Sequence, residues 1–478
     1  MTGAAFFDLD RTLVPRASGP ALSAAMRETG LLSARMPGEA LVFGYFNLLG
    51  ESIGSIALAR QAVLLAKGRP ADAFDEAAEL AADVLEPMVG PFAKVLIEEH
   101  QAAGRPVVLA TTTPEHLVRP LAERLGMDDV VATRYEVGEE GTFTGRTDGH
   151  FVWSMGKIAA VREWAEQEGI DLWESFAYSD SVYDAPLLKA VGNPGAVNPD
   201  PRLTALAMAA RWPVLHFDAS PGVFKIPVLG MELQRVVTLL ARPEVFPYAR
   251  FTVEGAENVP TDGPAILVGN HRSYFDVAAM AVAMGRTSRT ARFLGKKELF
   301  DVPGMGQLFR AGGGISVDRW GADPDGPDAF ASARRSLSGG ELVAMMPEGT
   351  IPRGIKFFEP GMEGFNGAAR LAHVSKVPVI PFGISGTEHV WPRSERLPRM
   401  TNLLSPPRVT VTFGEPVDLK YRSVPRDMER ILDAIQDLLP EHVREPERPT
   451  LADLALSYPD GVVPEEDRWF AVDGEDES

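Results

Sequence analysis

The fold of the first half of the chain is decided by the stretch Ala4-Ala5-Phe6-Phe7-Asp8-Leu9-Asp10-Arg11-Thr12. Its apolar residues 4–7 are typical of a short buried strand, and two carboxylates follow directly. Carboxylates at a strand end can share a reaction, because one can attack phosphorus while the other protonates the leaving oxygen. Such a pair is also common in turns and helix caps, so other features of the chain must decide.

Three later features favour phosphate chemistry. Thr111 follows the apolar run 107–110, where a hydroxyl beside a helix N-terminus suits a phosphoryl oxygen. Lys157 stands at a predicted helix start and can neutralise developing negative charge. Asp180 and Asp184 follow a further strand and suit a Mg²⁺ site, which would offset repulsion between a carboxylate and a phosphate. The four features occur in order, each at a strand end or a helix start, and together predict Mg²⁺-dependent phosphate ester chemistry.

Alternation of strand and helix patterns predicts the α/β class with two domains. The first domain, 1–215, is predicted to contain a Rossmann-like parallel sheet, with a helical cap at about 16–90. Residues 216–245 are predicted to be an amphipathic linker helix, which would lie on a bilayer or cover the next domain. The second α/β domain is predicted at 246–445, followed by an acidic, solvated tail at 446–478.

A second motif lies in the run Asn270-His271-Arg272-Ser273-Tyr274-Phe275-Asp276, with four residues between the imidazole and the carboxylate. A neighbouring carboxylate fixes the tautomer of a histidine and stabilises its charged form, so the histidine can act as a general base. No serine or cysteine nucleophile is obviously paired with His271. The substrate hydroxyl is therefore the expected nucleophile, which indicates acyl transfer onto an alcohol. We expect His271 in a loop after strand 265–268, Ser273 as helix N-cap and Asp276 in the first helical turn, facing back.

Further segments of this domain suit an anionic, glycerol-based acceptor. Arg319 follows a glycine-rich, strand-like segment and can grip a phosphate bidentately. The sequence Pro347-Glu348-Gly349-Thr350 follows a strong strand pattern and can hold a glycerol hydroxyl or a phosphate. Residues 277–297 contain no acid and form either an ordinary solvated face or a surface for anionic lipid headgroups. Their five cations are Arg286, Arg289, Arg292, Lys296 and Lys297.

Composition excludes several classes of function. The chain of 478 residues has a formal net charge of -19, which disfavours nucleic-acid binding. It has no cysteine, which excludes disulfides, thiolate metal sites and cysteine nucleophiles. Charged residues interrupt the first apolar run, so we expect no signal peptide, and no stretch reaches the ~20 apolar residues of a membrane span. We therefore expect a cytoplasmic protein that is either soluble or peripheral on the inner face of the cell membrane.

Residues 4–205 resemble the haloacid dehalogenase-like phosphatases, in particular the phosphoserine phosphatase-like branch (subfamily IB). The resemblance implies that Asp8 is the phosphoryl-accepting nucleophile, that Asp10 is the general acid and base, and that Thr111 and Lys157 bind the transferring phosphoryl group. It also implies a Mg²⁺ site formed by Asp8, Asp10, Asp180 and Asp184, and a cap that selects the substrate. Thr111-Thr112-Thr113 replaces the Ser-Gly-Gly-type turn of the phosphoserine phosphatases, which disfavours phosphoserine as substrate. Residues 42–46 would either form the core of the helical cap or line an apolar cap pocket for an amphiphilic phosphate ester.

Residues 245–420 resemble the glycerolipid acyltransferases of the 1-acylglycerol-3-phosphate acyltransferase type. The resemblance implies that His271, oriented by Asp276, deprotonates the free hydroxyl of lysophosphatidate, which then attacks an acyl thioester. The acceptor site implied by the resemblance consists of Arg319, Glu348, Gly349 and Thr350. No thioester-binding motif is recognisable, so the donor is either acyl-coenzyme A or acyl carrier protein.

Two interpretations of the whole chain remain open. The first is a bifunctional enzyme with a phosphatase domain and an acyltransferase domain that work on lysophospholipid and acyl thioester substrates at a membrane surface. The second is an acyltransferase whose N-terminal domain is a regulatory or lipid-phosphate-binding module.

Overall fold

The structure is a computed structural model that describes residues 2–32, 53–220, 223–226, 231–301, 305–317 and 330–472. The chain divides into two compact units, Met1–Pro221 and Gly222–Ser478. Within the described residues, no helix has the length and apolar character that crossing a membrane requires. Arg319 and residues 42–46, which carried two sequence predictions, lie outside the described residues.

The first unit is built on a parallel sheet. Its strands are β1 Ala5–Phe7, β2 Val107–Pro114, β3 Asp129–Thr133, β4 Tyr135–Val137, β5 Phe143–Thr147, β6 Phe176–Ser179, β7 Asn193–Val197 and β8 Val214–Leu215. Six of them form the sheet in the order β3-β2-β1-β6-β7-β8, and β4 and β5 form a separate antiparallel hairpin. All neighbours in the six-stranded sheet are parallel, as the sequence predicts. Phe6 and Phe7 are both fully buried and belong to different apolar clusters, so β1 lies in the middle of the fold.

The helices of the first unit cover this sheet and form the cap region. The α-helices are Gly19–Glu28, Ile53–Leu65, Asp75–Leu85, Pro91–Ala102, Glu115–Arg124, Met155–Glu168, Ala185–Ala190 and Pro201–Ala210, and the 3-10 helices are Asp72–Phe74, Glu86–Met88, Leu172–Glu174 and Val182–Asp184. Leu22, Phe74 and Ala78 pack with Phe143 of β5 in an apolar cluster of their own. The cap region therefore contains the hairpin β4–β5, which the sequence did not predict.

The second unit has a mixed sheet of seven strands. They are β9 Arg250–Glu254, β10 Ala265–Gly269, β11 Ala291–Lys296, β12 Ile315–Val317, β13 Leu342–Met345, β14 Val379–Ser385 and β15 Arg408–Phe413, in the order β12-β11-β13-β10-β14-β15-β9. β14 and β15 are antiparallel, and every other neighbouring pair is parallel. The central strand β10 is buried throughout, and the loop that leaves its carboxyl end carries the second motif.

Helices lie against this sheet and follow it. The α-helices are Leu233–Leu240, Asp276–Met284, Lys297–Asp301, Met305–Ala311, Ala331–Ser338, Gly367–Ser375, Thr387–Val390, Val424–Asp437, Glu441–Arg444 and Leu451–Leu456, and the 3-10 helices are Pro243–Val245, Ala256–Asn258, Gly354–Phe357 and Glu465–Phe470. The linker helix is shorter than predicted, because it spans only Leu233–Leu240, while Lys225 and Glu232 form an antiparallel bridge before it.

The predicted basic run does not form one cationic surface. Arg292 is only 1% exposed, and its guanidinium contacts Glu232 at 2.8 Å and Glu341 at 2.6 Å. Arg289 donates to the carbonyls of Pro260, Gly263 and Gly340. The prediction that these two arginines serve lipid headgroups is therefore wrong. A buried cation needs anionic partners, and Arg292 finds them in Glu232 and Glu341. Its contact with Glu232 attaches the start of the linker helix to strand β11.

The predicted tail is folded over most of its length. Leu454, Tyr458 and Val463 form a small buried cluster with Phe358 and Phe470. Thr450 caps the helix Leu451–Leu456 with a complete capping box. The prediction of a solvated tail relied on the acidic composition of this segment. The segment also contains apolar residues, and its helices pack against the 3-10 helix Gly354–Phe357.

Candidate active sites

The first candidate site lies at the carboxyl ends of β1 and β6. The two strands are parallel neighbours, so Asp8 after β1 and Asp180 after β6 emerge at the same edge of the sheet. The backbone N–H of Asp8 donates to the carbonyl of Tyr178 at 3.0 Å, which continues the ladder to the site. Both acids are buried, so this edge of the sheet is covered by other parts of the unit.

Lys157 lies at the centre of this site. It is the third residue of the helix Met155–Glu168, and its side chain is 1% exposed. Its ammonium donates to Asp8 Oδ1 at 2.8 Å and to Asp184 Oδ2 at 2.6 Å, and Ser179 Oγ donates to the same Asp184 oxygen at 2.7 Å. The two carboxylates give this buried lysine the anionic partners that it needs, and they fix its ammonium beside Asp8.

Asp10 has the properties of a proton donor. Desolvation by burial raises the pKa of Asp10 above its ordinary value, although the N–H of Ser18 donates to Oδ1. The hydroxyl of Thr113 donates to Oδ2 at 3.4 Å. A carboxyl group with a raised pKa keeps its proton nearer to neutral pH, which suits a general acid.

Thr111 does not end its strand. β2 continues to Pro114, and the next helix begins at Glu115, so the prediction of a strand end and an adjacent helix N-terminus at Thr111 is wrong. β2 stays paired with β3 past the apolar run, since Pro114 still pairs with Thr133, although the register shifts between Thr111 and Pro114. Thr111 is buried, and its hydroxyl accepts the N–H of Thr113 at 3.3 Å, while Thr113 is the residue that contacts Asp10.

The acids of this site are paired with cations. Asp180 Oδ2 lies 3.0 Å from Arg11 Nε, a contact that the sequence did not predict. Within the described residues, no group of three or more His, Cys, Asp or Glu side chains is arranged to hold a metal ion. The donor chemistry nevertheless fits Mg²⁺, which prefers carboxylate oxygens. Oδ1 of Asp184 is buried and finds no hydrogen-bond partner among these residues, so one carboxylate oxygen is left for a cation.

The second candidate site is formed by the loop between β10 and the helix Asp276–Met284. Asn270 anchors this loop to β14, because its amide donates to the carbonyl of Ile384 at 2.8 Å and accepts the N–H of Ile384 at 2.7 Å. His271 Nδ1 lies 2.6 Å from Asp276 Oδ2. The imidazole is 21% exposed and the carboxylate is fully buried, so the pair has one solvent-facing end.

Asp276 is held by its own loop. It is the first residue of its helix, and Oδ2 accepts the N–H groups of Arg272 at 2.7 Å and Ser273 at 3.0 Å. The N-cap is Phe275, so the prediction of Ser273 as N-cap is wrong; the hydroxyl of Ser273 instead accepts the N–H of Phe275. The expectation that Asp276 faces back from the first helical turn is confirmed. With Nδ1–H assigned to the bond with Asp276, Nε2 of His271 keeps a lone pair for a proton.

Glu348 lies beside His271. Its Oε2 accepts the N–H of His271 at 2.6 Å, and burial raises the pKa of Glu348 to about 8, with a further upward effect from Asp276. Gly349 has a φ of 67°, a left-handed conformation that favours glycine at this turn. Thr350 is exposed. The structure thus brings Glu348 to the histidine and places Gly349 and Thr350 next along the same turn.

Sequence reasoning missed two polar contacts of this site. The hydroxyl of Thr387 donates to Asp276 Oδ1, and both residues are fully buried. Arg272 donates to Glu388 Oε1 from Nη2 at 2.8 Å and packs on the ring of Phe357 at 3.9 Å. A usable signal existed, because Thr387 and Glu388 follow the carboxyl end of β14, which is the parallel neighbour of β10.

Comparison with known proteins finds a different family in each unit. A model of haloacid dehalogenase-like hydrolases matches residues 5–189, and a model named Acyltransferase matches residues 250–385. An Inhibition of morphological differentiation protein of Streptomyces azureus is 39% identical over 217 residues, which are 45% of this chain and 78% of that protein. A phosphoserine phosphatase of Mycobacterium tuberculosis is 35% identical over 235 residues, 48% of this chain and 75% of the relative. A solved 1-acyl-sn-glycerophosphate acyltransferase of Thermotoga maritima aligns with 43% of this chain and 79% of its own at 22% identity and a TM-score of 0.32.

Proposed function

Because the N-terminal unit belongs to the haloacid dehalogenase-like hydrolases and the C-terminal unit carries an acyltransferase domain, we propose that this chain is a bifunctional enzyme. Its C-terminal site transfers an acyl group from a thioester to the free hydroxyl of lysophosphatidate and gives phosphatidate. Its N-terminal site hydrolyses a phosphate monoester through an aspartyl-phosphate. The observation that carries the first activity is the clamped pair of His271 and Asp276, with its one exposed end.

Acyl transfer needs one base and one hydroxyl. Nε2 of His271 takes the hydroxyl proton of the acceptor as its oxygen attacks the carbonyl carbon of the thioester. The carbon–sulfur bond then breaks, and the imidazolium returns its proton to the leaving thiolate. Asp276 stabilises the imidazolium at 2.6 Å from Nδ1. Because the two N–H donors from the loop fix the same carboxylate oxygen, the imidazole keeps one orientation throughout.

The acceptor site of the proposal uses Glu348, Gly349 and Thr350, with Arg319 as a phosphate ligand. Glu348 supports this assignment, because a raised pKa keeps its side chain neutral at pH 7. A neutral carboxyl beside His271 adds no repulsion against the phosphate of an anionic acceptor. The acyl donor is acyl-coenzyme A or acyl carrier protein, and the net charge of -19 disfavours the acidic carrier protein.

Replacing Glu348 by Gln should make stability less dependent on pH. In the wild type the pKa of Glu348 is about 8 in the folded chain against 4.5 for the ordinary value. Protonation of Glu348 favours the folded state below pH 4.5, and this advantage is lost as the pH rises to 8. We therefore expect Glu348→Gln to be more stable than the wild type at pH 8.5, by roughly 2 to 4 kcal/mol, and close to it at pH 4.5. Urea unfolding at both pH values measures this, with the exposed Glu363→Gln as control. A pH-independent difference would contradict it.

Removing the hydroxyl of Thr387 should slow acyl transfer through Asp276. Thr387→Val leaves Asp276 Oδ1 buried without its donor, which loosens the carboxylate and weakens its hold on the imidazole. We expect kcat to fall by about ten- to a hundredfold with little change in KM, and Thr387→Ser to restore it. The acidic limb of the pH profile of kcat should also move in Thr387→Val. If kcat falls with an unchanged profile in both variants, Thr387 has only a structural role.

Phosphate ester hydrolysis is proposed at the N-terminal site. Asp8 attacks phosphorus, and the bond to the leaving oxygen breaks as Asp10 protonates that oxygen, consistent with its raised pKa. Water then attacks the phosphorus of the aspartyl-phosphate while Asp10 takes its proton, which releases phosphate and free Asp8. Lys157 holds a phosphoryl oxygen beside Asp8, and Thr111 is proposed as a further ligand. Asp8, the carbonyl of Asp10, Asp180 and Asp184 would hold Mg²⁺. When bound, Mg²⁺ supplies positive charge that offsets the repulsion between the carboxylate and the phosphate.

One observation favours the second interpretation, a regulatory or lipid-phosphate-binding N-terminal unit. Arg11 contacts Asp180 and Lys157 contacts Asp8, so these acids already have cationic partners. A module of this kind gives no Mg²⁺-dependent turnover of any phosphate monoester above an Asp8→Asn control. Turnover that EDTA abolishes favours the enzyme.

The proposed site of action is the inner face of the cell membrane, where the chain would be peripheral. Mass spectrometry of lipids after incubation with lysophosphatidate and acyl-coenzyme A, with and without EDTA, tests the proposal. We expect phosphatidate in both incubations. Diacylglycerol or monoacylglycerol that appears only without EDTA would place both activities on one lipid, and absence of phosphatidate would refute the acyltransferase proposal.

A further inference from the structure

An exposed apolar loop follows the second site in the chain. Between Leu397 and Leu404 it presents four apolar side chains, whose exposed fractions are 67% for Leu397, 52% for Met400, 58% for Leu403 and 100% for Leu404. Single exposed apolar residues are ordinary on protein surfaces, whereas a cluster at one loop tip indicates a surface that binds something.

The loop is flanked by positive charge. From Trp391 to Arg408 the sequence has four arginines and one acid, Glu395, which gives a local net charge of +3 in a chain of -19. Arg396, Arg399 and Arg408 are exposed. Apolar side chains between exposed arginines match an anionic bilayer, because the apolar groups enter the acyl region while the arginines stay at the headgroups.

The base of the loop is fixed to the catalytic loop. The hydroxyl of Ser273 donates to the carbonyl of Trp391 at 2.6 Å, and the rings of Tyr274 and Trp391 are 5.7 Å apart. The N–H of Arg399 donates to the carbonyl of Val390 at 2.8 Å. A surface that binds the loop tip is therefore also held near the catalytic loop that carries His271.

We propose that residues 397–404 form a loop that inserts into anionic lipid bilayers and holds the His271 site at its lipid source. The proposal rests on the proposed function in one respect, namely that the substrate of the His271 site is a lipid. A bilayer fits better than a protein partner, because a stable protein interface takes roughly 800 Å² from each side, far more than four side chains at a loop tip supply. The loop adds to any contact made by the linker helix.

Vesicle flotation with the full chain tests the proposal. The variant is Leu403→Asp with Leu404→Asp, and the matched control is Met208→Asp with Val462→Asp, which removes two side chains of 74% and 59% exposure and changes the charge equally. We expect the wild type and the control to float with phosphatidylcholine vesicles that contain a third of phosphatidylglycerol. The partition of the loop variant should fall by about tenfold or more.

Several results would overturn the proposal. One is equal flotation of the loop variant and the wild type, and another is equal binding of the wild type to pure phosphatidylcholine vesicles. Self-association that the loop variant loses while its vesicle binding stays would assign the loop to a second copy of the chain. Acyl transfer to monomeric lysophosphatidate is measured separately and should be equal in the wild type and the loop variant. Its absence from the wild type would refute the proposed function and leave the flotation result intact.

Discussion

His271→Ala is expected to reduce acyl transfer to lysophosphatidate by about a thousandfold or more and to leave phosphate ester hydrolysis unchanged. General base catalysis by a positioned histidine contributes roughly 10²- to 10⁴-fold, and here the same group also returns the proton to the thiolate. The imidazole of His271 is partly exposed, whereas the carboxylate of Asp276 is fully buried. Within this pair, only the imidazole can therefore reach the acceptor hydroxyl. Initial rates with acyl-coenzyme A and a thiol reagent measure the loss.

The chain contains a matched control for this variant. His373 lies in the same unit, and its Nε2 is 2.8 Å from the fully buried Asp427. Asp427 also accepts hydrogen bonds from Lys420, Tyr421 and Arg430, so this pair ties a helix to a loop. His373→Ala should lower stability and keep acyl transfer. Equal loss of transfer in both variants would mean that His271 acts through stability, and near wild-type transfer in His271→Ala would refute the general base.

Asp8→Asn is expected to abolish Mg²⁺-dependent phosphate release, by on the order of 10⁴-fold or more, and to spare acyl transfer. Asparagine lacks the anionic oxygen that attacks phosphorus, and loss of a nucleophile removes the whole covalent route. Lys157 keeps Asp184 as an anionic partner in this variant, so the buried lysine remains paired. Phosphate release from a panel of monoesters measures the effect.

Asp128→Asn is the control for this substitution. Asp128 Oδ2 accepts the N–H of Val107 at 2.7 Å at the opposite end of β2 from the site, so the variant makes the same chemical change away from Asp8. It should keep phosphate release. If Asp8→Asn also keeps release, Asp8 is not the nucleophile; if it loses acyl transfer as well, the two units do not act independently.

Much of the fold could be predicted from local pattern. Runs of buried apolar residues identified β1, β6, β10 and β13, because strands covered on both faces are almost continuously hydrophobic. β11 escaped prediction because it contains Arg292, whose burial depends on Glu232 and Glu341 from distant parts of the sequence. β9 escaped because its residues are half-buried or exposed and alternate weakly. The folded segment after Thr450 escaped because acidic composition dominated the pattern.

The residues of the candidate sites also differ in whether local sequence marks them. Asp8, Lys157 and the pair of His271 and Asp276 could be found, since each lies at a strand end or helix start that its own sequence marks. Thr387 was missed, because its contact with Asp276 spans 111 positions and can be expected only once β14 is placed beside β10. Arg11 belongs to the first motif, but its contact with Asp180 depends on β1 and β6 being adjacent strands.

The central claim is that one chain carries two separate active sites, and one assay tests it most directly. Phosphatidate formation and phosphate release are measured side by side for the wild type, Asp8→Asn and His271→Ala under the same conditions. We expect both activities in the wild type, only acyl transfer in Asp8→Asn and only phosphate release in His271→Ala. Loss of both activities in either variant, or absence of phosphate release from the wild type, would contradict two separate sites.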